Sequence, residues 1–199
     1  TISLADITKD LKTTQGINFT GLKLIENKIV VGFEYDDVDQ KISKYAKEND
    51  TVGLSSYIST IGYTNLSGEA LSTAFDTFSK AKDVKSSSKM LTDLAIINSN
   101  GSTPNISKAL NWISKNANAD KKHINDDIVL QFTKNINLDS NSGKKIIQSL
   151  SKDTVSNLAN NLDLTISQGG GFSIISPEER NTANKMRSLV GLPLNNKSF

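Results

Sequence analysis

Residues 67–80 read SGEALSTAFDTFSK, and the apolar positions of this stretch decide the fold class. Leu71, Ala74, Phe75 and Phe78 follow the i, i+3, i+4, i+7 spacing of one helical face. Two later sets repeat that spacing: Ile106, Ala109, Leu110 and Ile113, then Val155, Leu158, Ala159 and Leu162. These stripes predict amphipathic helices that bury one face against their neighbours.

Weaker helical patterns fill most of the chain after Asp37. They lie around residues 42–46, 52–61, 91–97, 124–132 and 146–150. The patterns cover roughly one and a half to three turns, at or below the average length of a helix in a globular protein. Helices this short are not stable alone, so they must pack against one another. We therefore predict a bundle of about seven to nine short helices.

Two helix starts are marked by proline. Thr103 and Pro104 form an N-cap followed by proline in the first helical position. Residues 176–179, SPEE, add a capping-box glutamate to the same arrangement. This second signal predicts a helix that runs to about Leu189 and ends near Gly191.

The segment before the helices has β character. Residues 17–35, INFTGLKLIENKIVVGFEY, are rich in Ile, Val, Phe and Tyr. Glu26 and Asn27 form a plausible turn between two strands, since asparagine tolerates a positive φ. An isolated hairpin is marginal in water. We therefore expect this one to pack on the helices, on another strand or on a partner.

Two further elements are predicted near the ends of the chain. Leu4, Ile7 and Leu11 have helical spacing, and residues 164–175, LTISQGGGFSII, place two short β-like pieces around a glycine run. The predicted fold is mainly α (α+β), with an N-terminal hairpin and a second small hairpin near residues 163–175. Residues 1–36 would form a helix and hairpin packed on a helical domain of residues 37–199.

The chain contains no cysteine and a single histidine, His123. Disulfide frameworks and thiolate metal sites are thereby excluded, and histidine-based catalysis is reduced to one possible centre. His123 and Asp127 are four residues apart and could share a helical face. Carboxylates at a helix start have an ordinary role in meeting the helix dipole, so we interpret this pair as structural. We predict no catalytic residue, no metal site and no cofactor.

Carboxylates are the remaining catalytic option. The densest acidic cluster is Glu34, Asp36, Asp37 and Asp39, and Glu69 lies in the first turn of a predicted helix. A glycoside hydrolase needs two carboxylates that face each other across a cleft. A hydrolase acting on cell-wall or other polysaccharide is therefore our alternative function, although helix capping also explains these acids.

The middle of the chain is basic. Residues 80–145 carry 11 lysines against 6 carboxylates, and the densest part contains Lys80, Lys82, Lys85 and Lys89. Nucleic-acid binding is a weaker alternative, because neither arginines nor aromatic residues are interleaved with these lysines. Lysine outnumbers arginine 21 to 2, which also disfavours a surface built to clamp phosphates.

Two other features are candidates for contact with a partner. Gly169, Gly170 and Gly171 lack the following Lys-Ser or Lys-Thr of a phosphate loop, so we interpret them as a flexible hairpin tip. Trp112, the sole tryptophan, lies off the centre of its apolar stripe. Burial at the edge of the core or a role as an interface anchor would both suit it.

Taken together, these patterns favour a non-enzymatic structural or interaction protein. We expect a component of a phage or virus particle or of another large assembly, with other proteins or copies of itself as partners. Ser, Thr and Asn are abundant, and catalytic equipment is sparse. No stretch approaches the ~20 apolar residues of a membrane span. The first residues lack a secretory signal pattern, and without cysteines a virion, the cytoplasm and an extracellular setting all stay open as locations.

Overall fold

A computed structural model describes residues 9, 17–35, 37–101, 103–117, 124–163 and 177–196. Within them, two strands precede nine α-helices, and this confirms the predicted mainly helical fold. The elements are β1 (Ile17–Ile25), β2 (Lys28–Tyr35), α1 (Val38–Glu48), α2 (Thr51–Ile61), a short 3-10 turn (Tyr63–Asn65), α3 (Gly68–Lys80), α4 (Val84–Ser99), α5 (Pro104–Ala117), α6 (Ile124–Asn135), α7 (Asn141–Gln148), α8 (Lys152–Asp163) and α9 (Pro177–Leu189).

The N-terminal hairpin is antiparallel, as predicted, with Leu22 opposite Val31. Its two-residue turn is Glu26 and Asn27, whose φ angles of 48° and 59° are both positive. How the hairpin packs, and the division at residue 36, stay predictions. The second predicted hairpin lies outside the described residues except for Asp163, which ends α8. The predicted opening helix around residues 4–11 lies outside them as well, apart from Lys9, which is helical.

The helix starts are set by short polar side chains. Six N-caps accept a hydrogen bond from the backbone N–H three residues on: Asp37 (3.2 Å), Asp50 (2.8 Å), Ser67, Asp83 and Ser140 (3.0 Å each) and Ser151 (3.1 Å). Each such cap satisfies a backbone donor that the helix itself leaves without a partner. The predicted Thr103 cap also forms, with a longer bond of 3.4 Å from the Ile106 N–H.

The three predicted stripes are buried in one shared core. Leu71, Ala74, Ile106, Val155 and Leu158 each have 0% of their surface exposed. Helix α3 packs on α5 and α1, while α8 packs on α9 and α5. Burial of a side chain the size of leucine stabilises a fold by roughly 1.5–3 kcal/mol. The stripes are therefore the main source of the bundle's stability.

A buried ion pair joins the last two helices of the bundle. Arg187 in α9 donates from both terminal nitrogens to Asp163 in α8, at 2.5 and 2.6 Å. Asn160 and Asn184 accept further bonds from Arg187, at 3.0 and 2.9 Å. Asn195 donates its backbone N–H to Asn184 and its side-chain amide to Asp163. The network thus joins α8, α9 and the chain that follows.

A glycine in α7 permits a close backbone approach. A Cβ added to Gly143 would lie 1.8 Å from the carbonyl oxygen of Asn137. The same Gly143 N–H donates to the N-cap Ser140, so the turn before α7 folds tightly over this position. No side chain fits there unless the backbone moves.

We expect Gly143→Ala to destabilise the protein by about 1–3 kcal/mol, the range for forced overpacking. Helix propensity alone would make the alanine variant more stable by about 1 kcal/mol. A lower free energy of unfolding would therefore show that the added methyl group clashes with the backbone. Urea unfolding measures it. The exposed neighbour Lys144→Ala is the control and should change stability little. A stabilised Gly143→Ala protein would contradict the close approach.

We expect Arg187→Met to cost about 3–5 kcal/mol, because it leaves the Asp163 carboxylate buried without its partner charge. Lys185→Met is the matched control on the same helix, since it breaks only the exposed pair with Asp139. Chemical denaturation compares the two. Adding Asp163→Leu to Arg187→Met should recover part of the loss. Equal losses in the two single variants would show that burial of the pair is unimportant.

Candidate interaction surfaces

The hairpin presents backbone hydrogen-bonding groups at its outer edges. Ile25 and Lys28 flank a two-residue turn, so they form a hydrogen-bonded pair and the pairs alternate from there. Leu24 with Ile29, and Leu22 with Val31, are then the non-hydrogen-bonded pairs. Their N–H and C=O groups point away from the hairpin. Among the described residues, the sheet contains only these two strands.

The two edges differ in regularity. The register slips by one residue between Phe19 and Gly21, so β1 carries a bulge at this point. A bulge bends its strand and interrupts pairing at that edge. β2 contributes one residue for each step of the ladder from Lys28 to Tyr35. The outer edge of β2 is therefore the more regular template for a further strand.

The four candidate lysines lie around the corner between α3 and α4. Lys80 pairs with Asp76 at 2.7 Å, and Lys89 pairs with Asp93 at 2.5 Å. Lys82 occupies the turn with a positive φ of 60°, and both it and Lys85 are exposed. Carboxylates at the corner offset much of this positive charge, which weakens the attraction for phosphates.

Asp93 also binds a tyrosine at this corner. The hydroxyl of Tyr63 donates to Asp93 Oδ2 at 3.0 Å, the same oxygen that accepts from Lys89. Burial raises the pKa of the Tyr63 hydroxyl well above its ordinary value, and the negative charge of Asp93 adds to the effect. The corner is thus tied to the 3-10 turn by a shared carboxylate.

Trp112 lies at the edge of the core. It is half-buried on α5 and packs against the core cluster. Its ring meets Phe75 of α3 edge to face, with centroids 6.3 Å apart and an interplanar angle of 83°. Aromatic pairs favour this geometry. The contact gives Trp112 a packing role between α3 and α5.

Glu69 forms an ion pair across two helices with Lys108. The hydrogen bond from Lys108 holds the pKa of the Glu69 carboxyl below its ordinary value. A glycosidase general acid needs the opposite shift, toward a protonated carboxyl at neutral pH. Glu69 is therefore poorly suited to that role.

An open groove runs along α1, where acids and lysines alternate. Asp37, Asp39 and Glu48 line it together with Lys44 and Lys47. Asp37 caps the helix, and Asp39 accepts from the Ser67 hydroxyl at 3.0 and 3.1 Å. At 1.5 Å per residue, Asp39 and Glu48 are about 14 Å apart along the axis, beyond the roughly 5–10 Å that glycoside hydrolysis needs. Asp39 and Glu48 therefore do not form such a pair.

Several predicted residues lie outside what the structure describes. They are His123, the side chains of Glu34 and Asp36, and the glycines Gly169, Gly170 and Gly171. Sequence reasoning in turn missed the Arg187–Asp163 pair and the Tyr63–Asp93 bond. The spacings of these residues, 24 and 30 positions, match no local pattern. The only signal in the sequence was the rarity of arginine, which sets Arg187 apart from the many lysines.

We expect Asp93→Asn to lower the pKa of Tyr63 while leaving it above the ordinary value, because burial remains. Tyrosinate absorbance measures the shift, with Tyr63→Phe as the reference. Asp76→Asn, which removes the exposed partner of Lys80, is the control and should leave Tyr63 unchanged. The raised pKa means that this tyrosine contributes stability below the unfolded-state pKa of about 10, and loses it as pH rises through the folded-state pKa. Ionisation of Tyr63 at its ordinary pH would contradict the pairing.

Neither a metal centre nor a membrane span is found in the part of the chain that is described. No three or more His, Asp or Glu side chains gather there to hold a metal ion. None of its helices is both long and apolar enough to cross a membrane. No family model, curated protein or solved structure matches this chain.

Proposed function

We propose that this chain is a non-enzymatic interaction protein that docks by strand addition at its N-terminal hairpin. In this mode the backbone groups of an exposed sheet edge pair with an extended segment of a partner. The observation that carries the proposal is the regular outer edge of β2. Ile29 and Val31 direct their backbone N–H and C=O groups away from β1 there.

The side chain at the tip of this edge also suits contact. Ile29 is 72% exposed, so its side chain is accessible to a partner that pairs with this edge. A regular strand edge with an exposed isoleucine attracts further strands unless it is covered. A partner strand would satisfy the backbone groups and cover this side chain together.

The positions of charged residues favour contact over the two alternatives. Asp37 caps α1, and Asp39 accepts from the Ser67 hydroxyl. Glu69 has a lowered pKa, and the only buried carboxylate, within the described residues, is paired with Arg187. These roles leave the hydrolase with little support. Two lysines of the basic corner are paired with acids, so nucleic-acid binding also has little support.

We infer further that the partner belongs to a large assembly, such as a phage or virus particle. Subunits of assemblies join through repeated contacts, and strand addition provides such a contact without a catalytic site. Lys82, Lys85 and the glycines 169–171 are proposed as secondary contact points. Trp112 is a weaker one, since it already packs on Phe75.

We expect Ile29→Pro to reduce the native mass of the complex that the full chain forms in its own source. Proline removes the outward N–H at this position without breaking a bond of the hairpin. Ile29→Thr is the matched control, because it removes the same apolar side chain but keeps the N–H and the β propensity. The measurement is native mass spectrometry of each tagged chain purified under mild conditions.

The comparison of the two variants separates backbone pairing from apolar contact. A loss of mass in Ile29→Pro alone supports strand addition. Loss in both variants would assign the contact to the isoleucine side chain instead. If the wild type and both variants run as single chains, the proposed function is wrong. Circular dichroism should show the same helix content in all three proteins.

A further inference from the structure

We propose that the strand added at the edge of β2 is β2 of a second copy of this chain, antiparallel and centred on Val31. This inference rests on the proposed function and names its partner. The two hairpins would form a continuous four-stranded sheet across a two-fold axis. Such an isologous contact uses the same surface on both copies.

The backbone pattern permits this register. In an antiparallel pair centred on Val31, the numbers of two opposed residues add up to twice 31. Val31 therefore lies opposite Val31 of the other copy, and Ile29 lies opposite Phe33. The outward backbone groups of β2 belong to its odd-numbered residues, beginning with Ile29 and Val31. Outward groups therefore meet outward groups at every step. If one strand slid by a single residue along the other, the outward groups of one copy would face residues of the other copy whose backbone groups already bond to β1.

The charges of the strand select the same register. Lys28 and Glu34 are the only charged residues of β2, and each is three positions from Val31. Antiparallel pairing about Val31 places residue 28 of each copy opposite residue 34 of the other. These are non-hydrogen-bonded positions, where opposed side chains come closest. The dimer thus gains two opposite-charge pairs, whereas parallel pairing would oppose like charges.

The alternative edge, β1, is less suited to self-pairing. Its ladder is interrupted between Phe19 and Gly21. Its only charged residue is Lys23, so an antiparallel pair of β1 strands gains no opposite-charge contact. Pairing near Lys23 would bring two positive charges together. Regularity and charge therefore both favour β2.

A single-cysteine variant tests the register, because the natural chain has no cysteine. Val31→Cys would place two thiols on the two-fold axis, where Cα atoms of a hydrogen-bonded pair are about 5.5 Å apart. That separation is typical of disulfides. We expect mild oxidation of the purified full chain to yield a covalent dimer. In Ile29→Cys the two thiols would be offset by four residues, about 13 Å, and should not join.

Charge exchange tests the pairing without changing its centre. Lys28→Glu and Glu34→Lys should each weaken the dimer about tenfold, because both charge pairs become repulsive. The double variant K28E/E34K should recover wild-type affinity. A mixture of the two single variants should form heterodimers, since one copy then carries two acids and the other two lysines. Sedimentation equilibrium and native mass spectrometry measure these outcomes.

The outcomes distinguish this inference from the function on which it rests. Equal cross-linking of Val31→Cys and Ile29→Cys, or no recovery in K28E/E34K, would overturn the self-pairing register. A monomeric purified chain whose complex with other proteins is lost in Ile29→Pro but kept in Ile29→Thr would overturn the self-pairing and keep strand addition. If Val31→Cys lost its helical circular dichroism, the variant would be misfolded, and the charge-exchange variants would then test the register.

Discussion

Burial of short apolar stripes in a single core is the constraint on which the bundle depends. The helices contain 8 to 16 residues, and isolated helices of that length are marginal in water. Each becomes stable only when its neighbours cover its apolar face. Local caps such as Asp50 and Ser67 position the ends of the helices but do not replace that burial. The bundle should therefore gain and lose its helices together.

The Arg187–Asp163 pair adds a different kind of constraint to this core. A buried ion pair offers little net stability over an apolar pair of the same size, but it is costly to break. Its geometric demand is high, because the planar guanidinium must meet both carboxylate oxygens. The pair therefore orients α9 on α8 more narrowly than apolar contact would. Asn195 joins the same network, so the chain after α9 is held in place too.

Many polar side chains of the described residues serve the fold. Aspartates and serines cap helices, lysines pair with nearby acids, and the Tyr63 hydroxyl binds Asp93. The backbone of the hairpin offers a different means of recognition. A strand edge recognises its partner through groups that every residue carries. Its specificity must then come from register, which the positions of Lys28 and Glu34 supply in our proposal.

The sequence by itself determined the elements whose signals are local. The stripe from Leu71 to Phe78, the Thr103 cap and the Glu26-Asn27 turn each depend on residues within a few positions, so their patterns are visible before folding. The lysine–aspartate pairs of the α3–α4 corner are equally local, at i and i+4, although the net charge of the segment conceals them. Only the tertiary structure decided the Arg187–Asp163 pair and the place of Trp112 beside Phe75. These depend on which helix faces meet, and many arrangements of the same amphipathic helices bury their stripes equally well.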